Sequence, residues 1–221
     1  MLNKPTSFTV RCDRKDRRFP ARPHIVGLGG TTRIGSSSET ALRYTLKCAQ
    51  EAGATVELIA GPLLDLPHYD PSNDHRSPSA LRLVNSLRHA DGVIVSTPSY
   101  HGGISGMIKN ALDYVEDMRN DPTPYFDGRA VGIIVAAYGV QALGTTLSSV
   151  RSIVHALRGW PTPYAAAINS ADGPFEDGLP ANSEIERQLE TVARQTVEFA
   201  QMKLACADRA DEADCRPAAV G

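Results

Sequence analysis

The chain has 221 residues, 42% of them hydrophobic and 22% charged, with a formal net charge of −2 at pH 7. This suffices for one core-forming domain with tails, and it lacks the general basic surface that a nucleic-acid partner requires. No apolar run approaches the roughly 20 residues that cross a bilayer, and the polar, basic N-terminus lacks the apolar segment of a secretory signal.

In chain order, residues 1–22 carry Arg11, Arg14, Lys15, Arg17 and Arg18 and read as a disordered basic extension, ahead of a domain over 23–204. Ile25, Val26 and Leu28, bounded by glycines, predict a buried parallel strand. Ser36 and Glu39 form an S-x-x-E capping box, so a helix is predicted from Ser37 to about Ala52 with its free amides facing the preceding loop. A dianion in that loop would meet amide donors, the positive end of the helix dipole, the hydroxyls of Thr31, Ser36, Ser37 and Ser38, and Arg33. Taken alone, the serines also fit simple helix capping. Two better-known phosphate loops do not fit. The Walker pattern fails because Ser36 stands where its lysine should be. The dinucleotide fingerprint fails because Thr32 replaces the third glycine and the second strand ends in Ile59-Ala60, without an acid for a ribose.

Gly53 stops the first helix and Thr55–Ala60 reads as the second strand. Residues 61–78, with Pro62, Pro67, Pro71 and Pro78, form a connection long enough to suggest a functional or partner surface. A helix over Ser79–Ala90 and the turn Asp91-Gly92 lead into the strand Val93-Ile94-Val95, which ends at Ser96. Ile108, Ala111, Leu112 and Val115 mark a third helix, followed by a proline-containing loop over 118–128. Ala130–Ala137 is a fourth, uninterrupted strand, and Leu143, Leu147, Val150, Val154 and Leu157 repeat at helical spacing. A fifth strand is predicted near Tyr164–Ile168, then a capping box at Ser183 and Glu186 opening a helix with Ile185, Leu189, Val192 and Phe199. Residues 205–221 read as a flexible tail. Cys12, Cys48, Cys206 and Cys215 form no C-x-x-C pair and suit a reducing cytoplasm.

Alternating strands and helices predict an α/β fold, a doubly wound five-stranded parallel sheet with helices on both faces. In such sheets ligands bind beyond the carboxyl ends of the strands where strand order reverses, which groups the loops after strands one, three and four. The middle loop runs Thr97-Pro98-Ser99-Tyr100-His101-Gly102-Gly103. Exposed backbone beside an aromatic ring suits a flat heteroaromatic. Tyr100 equally fits a half-buried ring closing the sheet end, and His101 a solvated loop histidine. Lys109, Asn110 and Asp113 share one helical turn, where an ion pair or fold-fixing role outweighs chemistry.

Three segments in this order resemble the NADPH-dependent FMN reductases, a flavodoxin-like family that includes quinone, azo-dye and chromate reductases. They are G-G-T-T-R-I-G-S-S-S from Gly29, T-P-S-Y-H-G-G-I-S-G-M-I-K-N-A-L-D from Thr97, and A-A-Y-G-V from Ala136, within a similarity spanning about 24–170. Thr31 stands where serine is usual in the phosphate loop, and Tyr138 departs from the usual glycine-rich turn. The resemblance implies bound FMN, with Thr31, Arg33, Ser36, Ser37 and Ser38 at its phosphate and Pro98, Ser99, Tyr100, His101 and Gly102 along its isoalloxazine. Tyr138 and Gly139 would close the other edge. It also implies hydride transfer from NADPH or NADH to FMN N5, then reduction of a free flavin, quinone, azo compound or metal oxyanion. No catalytic side chain and no metal are implied, because the flavin carries the chemistry. A homodimer or homotetramer, and service to a flavin-dependent monooxygenase, belong to the same expectation.

Two other readings stay open in the residues. A flavodoxin-like electron carrier would not oxidise NADPH, but flavodoxins resemble one another in an arginine-free phosphate loop and a strongly acidic surface, unlike this chain. A domain that kept the fold and lost the flavin would be colourless.

Overall fold

A computed structural model describes residues 22–214. The expected basic extension therefore lies outside the described residues except for Arg22. In chain order the elements are β1 (His24–Gly29), α1 (Ser37–Glu51), β2 (Thr55–Ala60), α2 (Pro78–Arg88), β3 (Gly92–Tyr100), β4 (Gly103–Ile104), α3 (Gly106–Asp113), β5 (Ala130–Ala137), α4 (Gln141–Ala156), β6 (Trp160–Pro161), β7 (Ala166–Asn169), β8 (Phe175–Glu176), β9 (Leu179–Pro180) and α5 (Ser183–Asp214). Short 3-10 turns follow β2, α3 and β7.

The main sheet has the order β2-β1-β3-β5-β6, with β7 continuing the β6 edge along β5. These pairings are parallel, and only the hairpin extension β3–β4 is antiparallel within the sheet. The order reverses between β1 and β3, so the switch point falls where sequence alternation placed it. The flavodoxin-like doubly wound fold is thus present, with its fifth strand broken in two. Pro161 and Pro163 explain the break: each lacks an N–H, a deficiency a strand tolerates at a sheet edge. Thr162 bridges the gap, donating its N–H to the Val131 carbonyl at 3.0 Å.

Strand side chains alternate between two buried clusters. Val26, Leu28, Val93, Val95, Val131, Ile133 and Val135 face α2, α3 and α4, while Ile25, Ile94 and Ile134 face α1 and α5. The second face is built around bare strand positions. A Cβ at Gly27 would lie 2.6 Å from Leu46 Cδ1, and one at Gly132 would lie 2.7 Å from Thr196 Oγ1, so glycine sets how closely α1 and α5 approach.

Two caps differ from expectation. At α1, Ser36 Oγ accepts from the Glu39 N–H at 3.4 Å as the box requires, but the buried Glu39 carboxylate turns to the Gly35 N–H at 3.2 Å and to Arg43 at 2.7 Å. At α5 the cap is Asn182, whose Oδ1 accepts from the Glu184 and Ile185 N–H groups at 3.1 and 3.0 Å, leaving Ser183 as the first helical residue. Asparagine one residue earlier outcompetes serine because its carbonyl reaches two amides at once. α5 also continues to Asp214, so residues 205–214 are helical where a flexible tail was expected. Ala205, Ala207, Ala210 and Ala213 favour helix without needing an apolar face, which is the signal the expectation relied on.

The 61–78 connection is anchored, not loose. Asn110 Oδ1 accepts from the Tyr69 N–H at 2.8 Å and its Nδ2 donates to the Pro67 carbonyl at 2.9 Å, while Arg76 pairs with Asp117 at 2.7 Å and lies over the Tyr69 and Tyr114 rings. Lys109 pairs with Asp113 on the same helix. The turn of residues set aside from the site therefore fixes the fold.

Candidate functional site

The loops after β1, β3 and β5 emerge along one edge of the sheet, because Gly29 pairs with Ser96 and Pro98 with Ala136 in the parallel register. β1 and β3 cross so closely that a Cβ on Gly29 would lie 2.4 Å from the Ser96 carbonyl oxygen. Gly30, with φ of +101°, then donates its N–H to that oxygen at 3.2 Å and turns the chain outward. Ser96 Oγ donates to the Ser38 carbonyl at 2.7 Å, which pins the first turn of α1 over the end of β3.

This geometry leaves an open anion cradle. The N–H groups of Ser36, Ser37 and Ser38 find no acceptor among the described residues, and they lie at the positive end of a helix of 15 residues. The Ser36 and Ser38 hydroxyls are buried and 3.4 Å apart, with Ser37 half-buried beside them. Thr31 spans the loop through Oγ1, which accepts from the Arg33 N–H at 3.1 Å. The Arg33 side chain is exposed, and among the described residues it has no carboxylate partner within 4 Å.

The second loop is a two-residue hairpin. His101 and Gly102 have φ of 53° and 78°, the pair of positive values that a type I′ turn demands, between the paired residues Tyr100 and Gly103. His101 is thus an exposed turn residue. Pro98 is buried, and Ser99 Oγ lies 2.6 Å from Thr146 Oγ1 of α4, so both shape the wall more than they offer free donors. Thr97 Oγ1 accepts from the Ser105 N–H at 3.1 Å and closes the base of the hairpin.

In the third loop Tyr138 is exposed and Gly139 has φ of +104°. The Gly139 N–H donates to Asn169 Oδ1 at 2.8 Å, and Asn169 Nδ2 donates to Asp172 at 2.8 Å, so that amide is already engaged. Around the three loops Ile34, Tyr100, Tyr138 and Val140 stand 72%, 56%, 88% and 71% exposed, an apolar rim on one edge. Sequence reading missed Ser96, Thr146 and Asn169, whose roles are contacts between distant segments. Ser96 alone carried a signal, as a polar residue closing an apolar strand.

The sequence profile of the family described as NADPH-dependent FMN reductase matches residues 23–173. The chain belongs to the NADPH-dependent FMN reductase family. A relative, the FMN-dependent NADPH-azoreductase of Staphylococcus aureus, is 31% identical over 166 residues, covering 72% of this chain and 85% of the relative. Among solved structures, the flavoenzyme NAD(P)H:(acceptor) oxidoreductase FerB from Paracoccus denitrificans aligns with a TM-score of 0.65 at 23% identity, over 82% of this chain and 98% of that one. A flavodoxin, WrbA-like protein from Agrobacterium tumefaciens aligns with a TM-score of 0.55 at 17% identity, over 82% and 99% of the two chains. At those identities the structures speak for the fold, while the profile speaks for the family. The profile of the FMN reductase family ends at Gly173, just past the 3-10 turn after β7, so it takes in all three site loops and leaves out α5.

Proposed function

We propose that the chain is an NAD(P)H-dependent FMN oxidoreductase whose flavin lies across the carboxyl edge of the sheet, anchored by its phosphate at the start of α1. The observation that carries this reading is the set of amides at Ser36–Ser38 that have no acceptor among the described residues, beside an Arg33 that has no carboxylate partner among them, at the switch point of a chain in this family. A flavin mononucleotide fits these residues chemically. Amides, hydroxyls and a guanidinium suit a dianionic phosphate. A Cβ on Gly35 or Gly139 would meet nothing within 4 Å, so backbone borders open space on both sides of the site.

In this assignment Thr31, Arg33, Ser36, Ser37 and Ser38 hold the phosphate. Pro98, Ser99, Tyr100, His101 and Gly102 line the ring system, and Tyr138 with Gly139 borders its far side. Gly139 acts there through its bare backbone, since its N–H is taken by Asn169. FMN held by these residues would supply the redox chemistry between NADPH or NADH and a free flavin, quinone, azo compound or metal oxyanion. The chain's own residues position and exclude water, and no side chain is assigned as acid or base.

The apolar rim of Ile34, Tyr100, Tyr138 and Val140 supports assembly into a homodimer or homotetramer, with each copy covering part of its neighbour's site. A cytoplasmic setting and delivery of reduced flavin to a monooxygenase complete the proposal. No described helix is long and apolar enough to cross a membrane.

Purification tests the reading directly. Yellow protein that oxidises NADPH or NADH with FMN or a quinone as acceptor is the expected result. Yellow protein that oxidises neither would favour the carrier, and colourless protein that takes up no FMN would favour a fold without its flavin.

A further inference from the structure

The connection from α4 into β6 forms a second concave feature, at the opposite end of the sheet. β6 pairs with Ala130 and Val131, the first residues of β5. The cleft is therefore separated from the carboxyl edge by the length of β5, roughly 20 Å at about 3.3 Å per residue. Its volume is about 610 Å³. Cavities of that size hold small ligands.

The wall carries Arg151, His155 and Arg158 together with Asp127, and Trp160 and Pro161 supply its apolar part. Several arginines elsewhere are paired, as in Arg43 with Glu39, Arg76 with Asp117 and Arg88 with Asp121. Among the described residues neither Arg151 nor Arg158 has a carboxylate within 4 Å. Arg151 donates one N–H to the Pro163 carbonyl at 3.0 Å, but its Nε–H is buried without an acceptor among the described residues. A buried donor left unmatched is an exception that calls for an explanation.

Backbone conformation points the same way. Arg158, just past the end of α4, has φ of 61°, and its guanidinium lies 5.2 Å from the centroid of Tyr125, which itself has φ of 54°. Helices usually place glycine at this left-handed position, and the chain has a glycine one residue later. Gly159 serves packing instead, since a Cβ there would lie 2.9 Å from Val131 Cγ2 and 3.0 Å from Val154 Cγ1. A left-handed arginine on the cleft wall, stacked on a second left-handed residue beside the cleft, is the kind of feature that marks a functional site.

We propose that this cleft is a second binding site, for a small organic anion carrying a flat ring. The guanidinium groups of Arg151 and Arg158 receive the anionic group, with His155 adding a further polar contact, and Trp160 receives the ring. Trp160 is 59% exposed and leans on Phe199 at 5.7 Å between centroids, so its remaining surface is held in place and free. Asp127 leaves one positive charge in excess when His155 is neutral, which suits a phosphate monoester or a carboxylate and disfavours a triphosphate. The site is independent of the flavin reading, since it shares no residue with the carboxyl edge.

Trp160 is the single tryptophan of the chain, so its fluorescence reports on the cleft directly. Phenyl phosphate, titrated into the purified protein, is expected to change that signal saturably and at lower concentration than inorganic phosphate or phenol alone. Arg158→Gly keeps the left-handed backbone, so it should fold with unchanged or higher Tm and still bind FMN, while weakening phenyl phosphate at least about tenfold. Arg33→Ala should leave the titration unaltered. Absence of a saturable response up to about 10 mM, where even millimolar affinity would show, overturns the proposal. So does a response indifferent to Arg158→Gly or lost in Arg33→Ala, or one that follows protein concentration instead of the probe, which would assign the cleft to contact between copies. Because the readout needs neither flavin nor nicotinamide, its failure would leave the reductase reading untouched.

Discussion

Arg33 stands exposed at the mouth of the switch point, without a carboxylate partner among the described residues, while Arg43, ten residues on, is locked to the buried Glu39. That contrast assigns Arg33 to a ligand and Arg43 to the helix. Arg33→Ala is expected to weaken FMN by about 1.5–3 kcal/mol, the worth of a charge-assisted hydrogen bond, and a flavin titration measures it. Ser96 acts one step behind the site, through the Ser38 carbonyl. Ser96→Ala should lower stability by about 1 kcal/mol and loosen FMN binding in parallel, read by urea unfolding and by titration. The hydroxyl-rich loop at the start of the first helix marks Ser38 as a candidate, whereas Ser96, 58 residues away in sequence, reads only as the end of a strand. Cys48 is a different kind of residue. Burial first, then the nearby Glu51 and Glu190 carboxylates, push its thiol up to about 11, so it is a poor nucleophile. Iodoacetamide at pH 8 should alkylate the exposed Cys206 well before Cys48, a difference that peptide mass spectrometry resolves.

Elements whose residues have one sufficient local reason were legible. β2 and β5 occupy the residues predicted for them, because TVELIA and AVGIIVAA have no competing way to bury themselves. The type of every long element was likewise readable from its apolar period. What could not be read was decided by competition or by tertiary contact. Asn182 and Ser183 both make acceptable caps, and only the observed hydrogen bonds choose between them. Asn182→Ala should therefore destabilise the protein by about 1 kcal/mol in thermal unfolding, whereas Ser183→Ala should stay within about 0.5 kcal/mol. The broken edge strand also needed the structure, since the prolines around Thr162 allow either a strand or a loop. At the site, the three loops followed from topology, but the engagement of the Gly139 amide by Asn169 joins β5 to β7 and leaves no local trace.

At the scale of the whole molecule, one sheet separates two functions of geometry: its carboxyl edge gathers three loops and an apolar rim, and its amino end holds the cationic cleft. Stability is tied to pH through the α1–α5 face. Cys48 has a folded pKa raised above its ordinary value near 9, so the fold favours the protonated thiol. Its contribution is complete below pH 9 and is lost as pH rises toward about 11. Tyr44 on the same face is raised as well, by burial and then by its hydrogen bond to Glu186, and it adds a loss in the same direction at higher pH. Urea unfolding across pH 8 to about 10.5 should therefore show stability falling less steeply in Cys48→Ala than in the parent protein.

The central claim is that a flavin phosphate docks on the open amides of Ser36–Ser38 beside Arg33. Calorimetric titration of FMN and riboflavin, which differ by that phosphate, tests it most directly. FMN is expected to bind at least about 100-fold more tightly, a difference near 2.7 kcal/mol, and the preference should shrink in Arg33→Ala. Equal affinity for the two flavins, or a preference that Arg33→Ala leaves intact, would contradict the claim.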